Sequence, residues 1–124
     1  MTFAFDEIQL TEIPAGTIVR LIIKDTLKKE DYEHFVPMVE KIMESRDKIR
    51  MLIELRDFKG WSVGAMWEDT KFGLSHFNDI DRLAIVGDKQ WEKTMAVFIR
   101  PFTTATVKYF DIGELDAANA WISE

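Results

Sequence analysis

Apolar residues recur along this chain with two spacings, and the changes from one to the other mark its elements. Runs of strand length fall at Phe3–Ile13, Thr17–Lys24, Arg50–Leu55, Arg82–Gly87 and Ala105–Phe110. Pro14-Ala15-Gly16 between the first two supplies turn chemistry suited to an antiparallel pair. The second run, TIVRLIIK, is more continuously apolar than the first and is expected to lie deeper. Within the third, Met51–Leu55 is broken only by Glu54, the pattern of an interior strand.

Between these runs the spacing becomes helical. Residues 27–48 carry Tyr32, Phe35, Val36, Val39, Ile42 and Met43 on one stripe, with Pro37 expected to kink or break the helix near Val36. Asp57-Phe58-Lys59-Gly60 reads as a turn, after which Ser62 can cap a helix over Val63–Phe77. Asp88 is placed to cap a third helix, with Trp91, Met95, Phe98 and Ile99 on one side and Pro101 closing it. After Asp111 and Gly113 a last helix turns Leu115, Ala118, Trp121 and Ile122 inward. The order β-β-α-β-α-β-α-β-α predicts a single α/β domain over residues 1–124. Its five-stranded mixed sheet, largely parallel after the opening hairpin, is covered by four helices.

Composition narrows the functions open to such a domain. Hydrophobic residues at 47% and charged residues at 31% of 124 suit a globular chain with a core of its own. A net charge of −6 argues against nucleic acid, whose phosphates demand Lys and Arg. No apolar run approaches the ~20 residues of a membrane span, so an integral membrane protein is not expected. The opening MTFAFDEIQL has no basic region followed by an apolar one, so no signal peptide is read there. The absence of cysteine removes thiolate and disulfide chemistry and fits the cytoplasm.

Candidate chemistry gathers where the third strand ends, because open α/β sheets bind ligands outside the carboxyl ends of their strands. Arg56, Asp57, Lys59 and Ser62 fall there. Ser62 can be a helix cap or a phosphorylation site at a helix N-terminus. Glu54, inside a buried strand, either has a shifted pKa that marks a site or pairs with Arg56, Lys59 or a backbone donor. Glu68 and Asp69 are helix neighbours pointing about 100° apart, so they read as a polar face. His34 and His76 are far apart and lack clustered acids, so no metal is assigned; no Gly-rich phosphate loop or cofactor motif is present. No catalytic residue is assigned, and an enzyme is not expected. Phe58, Trp61, Met66, Trp67 and Phe72, with Ala65, Leu74 and Phe77, occupy more of a helix and its approach than one core stripe needs. They read as ordinary packing, a self-association or partner surface, or an apolar pocket.

Several strings resemble the SpoIIAA-like or STAS fold, and more narrowly a bacterial branch of stand-alone STAS/Sec14-like proteins. They are Glu30-Asp31-Tyr32, Leu52-Ile53-Glu54-Leu55 entering Asp57-Phe58-Lys59-Gly60, and Ala65-Met66-Trp67-Glu68-Asp69-Thr70-Lys71-Phe72-Gly73. Ala84-Ile85-Val86-Gly87-Asp88 with Trp91, Arg100-Pro101-Phe102 and Ala117 to Trp121 complete them. The resemblance implies the layered fold already read from the pattern. It also implies a non-enzymatic binding or regulatory module acting through protein–protein, homodimeric contacts of loop 56–62 and helix 63–77. Two alternatives come from its relatives: a carrier of a small apolar, lipid-like ligand in a Sec14-like pocket, or a Ser62 phospho-switch like that of anti-sigma-factor antagonists. The antagonists' Asp-Ser-Ser/Thr-Gly signature is replaced here by Gly60-Trp61-Ser62-Val63-Gly64.

Overall fold

A computed structural model of the chain describes residues 8–14, 16–44, 46, 48–65, 68, 71, 79–99 and 105–124, with 95 and 97–99 described by backbone alone. The strands are β1 (Gln9–Ile13), β2 (Gly16–Leu27), β3 (Ile49–Trp61), β4 (Ile80–Gly87) and β5 (Thr106–Asp111). The helices α1, α2 and α3 are Lys29–Glu44, Gln90–Ile99 and Leu115–Ser123; a 3-10 turn over Ile112–Glu114 leads into α3, and residues 63–65, 68 and 71 are helical between β3 and β4. The expected start of the first strand at Phe3, the far end of helix 63–77 and the closure at Pro101 lie outside the described residues.

The strands lie side by side in chain order, β1-β2-β3-β4-β5. β1 runs antiparallel to β2 through Gln9↔Arg20 and Ile13↔Gly16, and the remaining pairs are parallel. Parallel neighbours need a crossover, and right-handed crossovers that always step the same way put every connecting helix on one face. The packing agrees. Tyr32, Phe35, Val39 and Met43 from α1, Ala65, and Ala96 from α2 all join one core with Val19, Leu21, Met51, Leu55, Ile85 and Val107. The opposite face holds Ile18, Leu52, Ala84, Val86 and Phe110, and it is closed by Ala118 and Ile122 of α3. The inward set expected for this last helix is therefore found, with Leu115 and Trp121 packed against the same cluster.

Two arginines hold α3 down by its carbonyl end. Arg50, nearly buried in β3, donates from Nη1 to Ile122 O at 2.9 Å, and Arg82 of β4 donates to Trp121 O at 2.8 Å. Cations there meet both the unpaired carbonyls and the negative end of the helix dipole. Arg82 also lies 5.1 Å from the Trp121 ring centroid. At the other edge Arg46 clasps the hairpin, donating to Thr17 Oγ1 at 2.8 Å and to Glu12 Oε1 at 2.6 Å. The Arg46 hydrogen bond is the main reason that the Glu12 carboxyl sits below its usual range.

Two expectations are corrected. α1 runs through Pro37 as one helix rather than breaking near Val36. The turn expected at Asp57–Gly60 is strand, because β3 keeps pairing with β2 as far as Leu27↔Trp61. Register shifts flank Asp25, whose partner is Phe58, while Thr26 pairs with Gly60. Extra residues in β3 are thus absorbed as bulges, with Asp57 at φ 48° and Gly60 at φ 106°. Turn-forming residues supply the left-handed backbone that a bulge also needs.

Candidate functional site

The carboxyl ends of β2, β4 and β5 all pass into helices by one local device. The third helical residue is an acid that folds back onto the amide preceding the helix, one half of a capping box. Asp31 Oδ2 accepts from Lys28 N at 2.7 Å, Glu92 Oε1 from Lys89 N at 3.1 Å, and Glu114 Oε1 from Asp111 N at 3.0 Å. After β3 the conventional cap appears instead: Ser62 Oγ accepts from Ala65 N at 3.2 Å. Of the two roles open to Ser62, the cap is the one its geometry displays.

Above this end of the sheet, on the three-helix face, stands an aromatic cluster. Phe58 is 1% exposed, with its ring centroid 5.0 Å from that of Trp61 and 5.6 Å from that of Trp91; Trp61 and Trp91 are 6.2 Å apart. Trp61 Nε1 donates to Tyr32 Oη at 2.8 Å, which fixes the indole against α1. Lys89 Nζ donates to the Phe58 carbonyl and ties the start of α2 to β3. Trp91, expected on one side of this helix with Met95, Phe98 and Ile99, is 41% exposed. Buried α2 side chains are Glu92 and Ala96, while Met95, Phe98 and Ile99 fall among the side chains not described. Asp88, expected to cap this helix, lies one residue too early: α2 starts at Gln90, and the Asp88 amide is itself a donor to Glu92 Oε1 at 3.1 Å.

Glu92 is the residue the sequence pattern missed. It is 0% exposed, Oε1 holds two amides, and Oε2 has no partner. Tyr109 Oη on β5 is likewise buried without a partner. Both crowd Gly87: a Cβ there would stand 2.3 Å from Glu92 Oε1 and 3.0 Å from Tyr109 Oη. Burial is the leading cause that raises the Glu92 carboxyl above its ordinary value, against the pull of the two amides. Burial first, then the charges of Glu92, Asp111 and Asp88, push the Tyr109 phenol up to about 12.

The residues expected to form one polar site are not all brought together. Glu54 is buried, but strand alternation puts it with Leu52 on the α3 face, where its Oε2 pairs with Arg56 Nη2 at 3.0 Å. Arg56 and Asp57 are exposed, and Lys59 pairs with Asp25 at 3.3 Å. Phe58 and Trp61 do meet, and Trp91 joins them. Met66, Trp67 and Phe72 lie outside the described residues. Among the described residues no helix is long and apolar enough to cross a membrane, and no three His, Asp or Glu side chains gather as metal ligands.

A five-stranded mixed sheet built in this order, with one face under three crossover segments and the other under the last helix, defines the class of protein. The SpoIIAA-like family model matches residues 18–123, and the chain belongs to that family. Its fold is similar to the crystal structure of an uncharacterized DUF3478-family protein with a SpoIIAA-like fold from Shewanella loihica PV-4. The TM-score is 0.82 at 24% identity, covering 98% of this chain and 96% of that one. Among curated proteins none matches.

Proposed function

We propose that the chain is a non-enzymatic binding module that pairs with a second copy of itself through the end of β3 and the helical turn after it. Val63 carries this reading: it is 88% exposed in the first turn beyond Ser62. A β-branched apolar side chain so fully in water, two residues beyond the half-buried Trp61, is surface that a partner would remove from solvent. Trp91 and Ile112, both exposed, extend apolar surface around the carboxyl end of the same sheet. The non-enzymatic part of the reading is supported by how the candidate polar residues and Lys89 are engaged. Ser62 caps, Glu54 neutralises Arg56, Lys59 meets Asp25, and Lys89 bonds the Phe58 carbonyl.

Sedimentation velocity over a wide concentration range tests the reading. The parent chain is expected to pass from monomer to dimer as concentration rises, and Val63→Asp to stay monomeric with an unchanged melting temperature. A parent that is monomeric throughout, or a Val63→Asp chain that dimerises equally well, refutes it.

A further inference from the structure

Beneath the exposed Trp91 lies an arrangement that pairing between copies does not use. Two oxygens, Glu92 Oε2 and Tyr109 Oη, are sealed inside the protein without a hydrogen-bond partner. They sit at the carboxyl ends of adjacent parallel strands, beside a glycine whose missing side chain leaves them room. The Phe58, Trp61 and Trp91 rings occupy the same end and the same face. Asp88 on the β4–α2 connection adds negative charge that both groups feel, and Asp111 at the end of β5 adds more at Tyr109. Lys89 is the nearby cation, and its ammonium is turned to the Phe58 carbonyl.

We propose that this is a binding site for a primary ammonium carried on a small aromatic or aliphatic body. An ammonium offers three donors and no acceptor, which is what two bare oxygens require. Aromatic faces attract a cation, and indole does so most strongly. An uncharged hydroxyl has one proton to donate and cannot serve both oxygens at once. A carboxylate or phosphate would meet Glu92, Asp88 and Asp111 as like charges. Both oxygens are closed to solvent, so binding requires them to become accessible. Binding displaces the proton that burial favours on Glu92, so affinity rises with pH until Glu92 is ionised without help. Asp88 and Asp111 work in the ligand's favour over that range, Lys89 works against it, and Tyr109 stays protonated.

The test is calorimetry of the whole chain at about pH 8 with phenethylammonium chloride, and with 2-phenylethanol as the uncharged probe of the same shape. The ammonium is expected to bind at least about tenfold more tightly than the alcohol. Glu92→Gln is expected to lower ammonium affinity about tenfold or more and to leave the alcohol unaffected, and Tyr109→Phe to lower it several-fold. Circular dichroism melting confirms that both variants fold. Equal affinity for the two probes, unchanged binding by Glu92→Gln, or no binding of the ammonium up to about 10 mM overturns the site. The Val63→Asp chain is expected to bind the probe as the parent does, so a failure of self-association leaves this result intact.

Discussion

Replacing Glu92 by Gln separates the charge of this side chain from its shape. The amide oxygen of Gln can still accept from the Asp88 and Lys89 amides, which reach Glu92 Oε1 at 3.1 Å each. What changes is the second terminal atom. A bare, buried carboxylate oxygen becomes an NH2 group beside Tyr109 Oη, itself unpartnered. An unmet buried polar group costs about 1–3 kcal/mol, and relieving Oε2 recovers part of that. Against it, the two amide bonds lose their charge assistance, about 1 kcal/mol each. Burial, the leading cause, raises the Glu92 pKa, so the folded chain tolerates the charged side chain less well than the unfolded chain does. The two contributions nearly cancel, and Glu92→Gln is expected to change stability by no more than about 1 kcal/mol at pH 8, or about 3–5 °C in Tm for a domain of this size. The pH dependence follows from linkage. A carboxyl whose folded pKa lies above its unfolded 4.5 costs the native state nothing while both states are protonated. Parent stability then falls as pH rises from there through the folded pKa, and above it the cost is complete. The Gln variant does not titrate, so its stability relative to the parent is expected to rise as pH climbs past the unfolded 4.5 and to level off above the folded pKa. Urea unfolding of parent and variant at about pH 4 and pH 8 measures this. A variant destabilised equally at both values would refute the reasoning.

Three further outcomes follow from contacts described above. Gly87→Ala drives a methyl to within 2.3 Å of Glu92 Oε1 and should cost about 1–3 kcal/mol in urea unfolding; a neutral result would mean that this corner yields freely. Arg50→Met removes the donor to Ile122 O and should cost about 1–3 kcal/mol, with faster amide exchange confined to α3; uniform loss of protection would contradict a local anchor. Ser62→Ala removes the acceptor for Ala65 N and should cost about 1 kcal/mol, whereas Ser62→Asp should restore the cap; loss of stability in both would argue against capping.

The parts of the fold that were legible are those in which hydrophobic spacing and burial coincide. The strand through Ala84–Val86 and the inward face of α3 are of this kind, because one face of each is core, and the antiparallel pairing of β1 with β2 was legible from the turn residues between them. β3 was cut short at Leu55 because Asp57 and Gly60 favour left-handed backbone wherever they occur. Only the neighbouring β2 decides whether that conformation makes a turn or a bulge. The site was half legible. Phe58 and Trp61 declared themselves by bulk, but Glu92 could not, since a charged residue is buried here by backbone amides that no periodicity reveals. Helical spacing put Trp91 on one side of its helix, but spacing alone does not say that this ring is 41% exposed while resting on Phe58. Glu54 was correctly marked as unusual, and Arg56 two residues on explains it.

Because β1 to β5 lie in the order in which they are made, a ribosome releasing this chain adds each strand to an edge that already exists. No strand has to be threaded between two earlier ones, which keeps loop closures short and favours quick assembly. The cost falls before α3 is made. Ile18, Leu52, Ala84, Val86 and Phe110 form a naked apolar floor until α3 emerges to roof it. A nascent chain stalled before residue 115 would therefore expose a surface suited to chaperones, and the arginine latches at Ile122 and Trp121 close only once α3 has emerged.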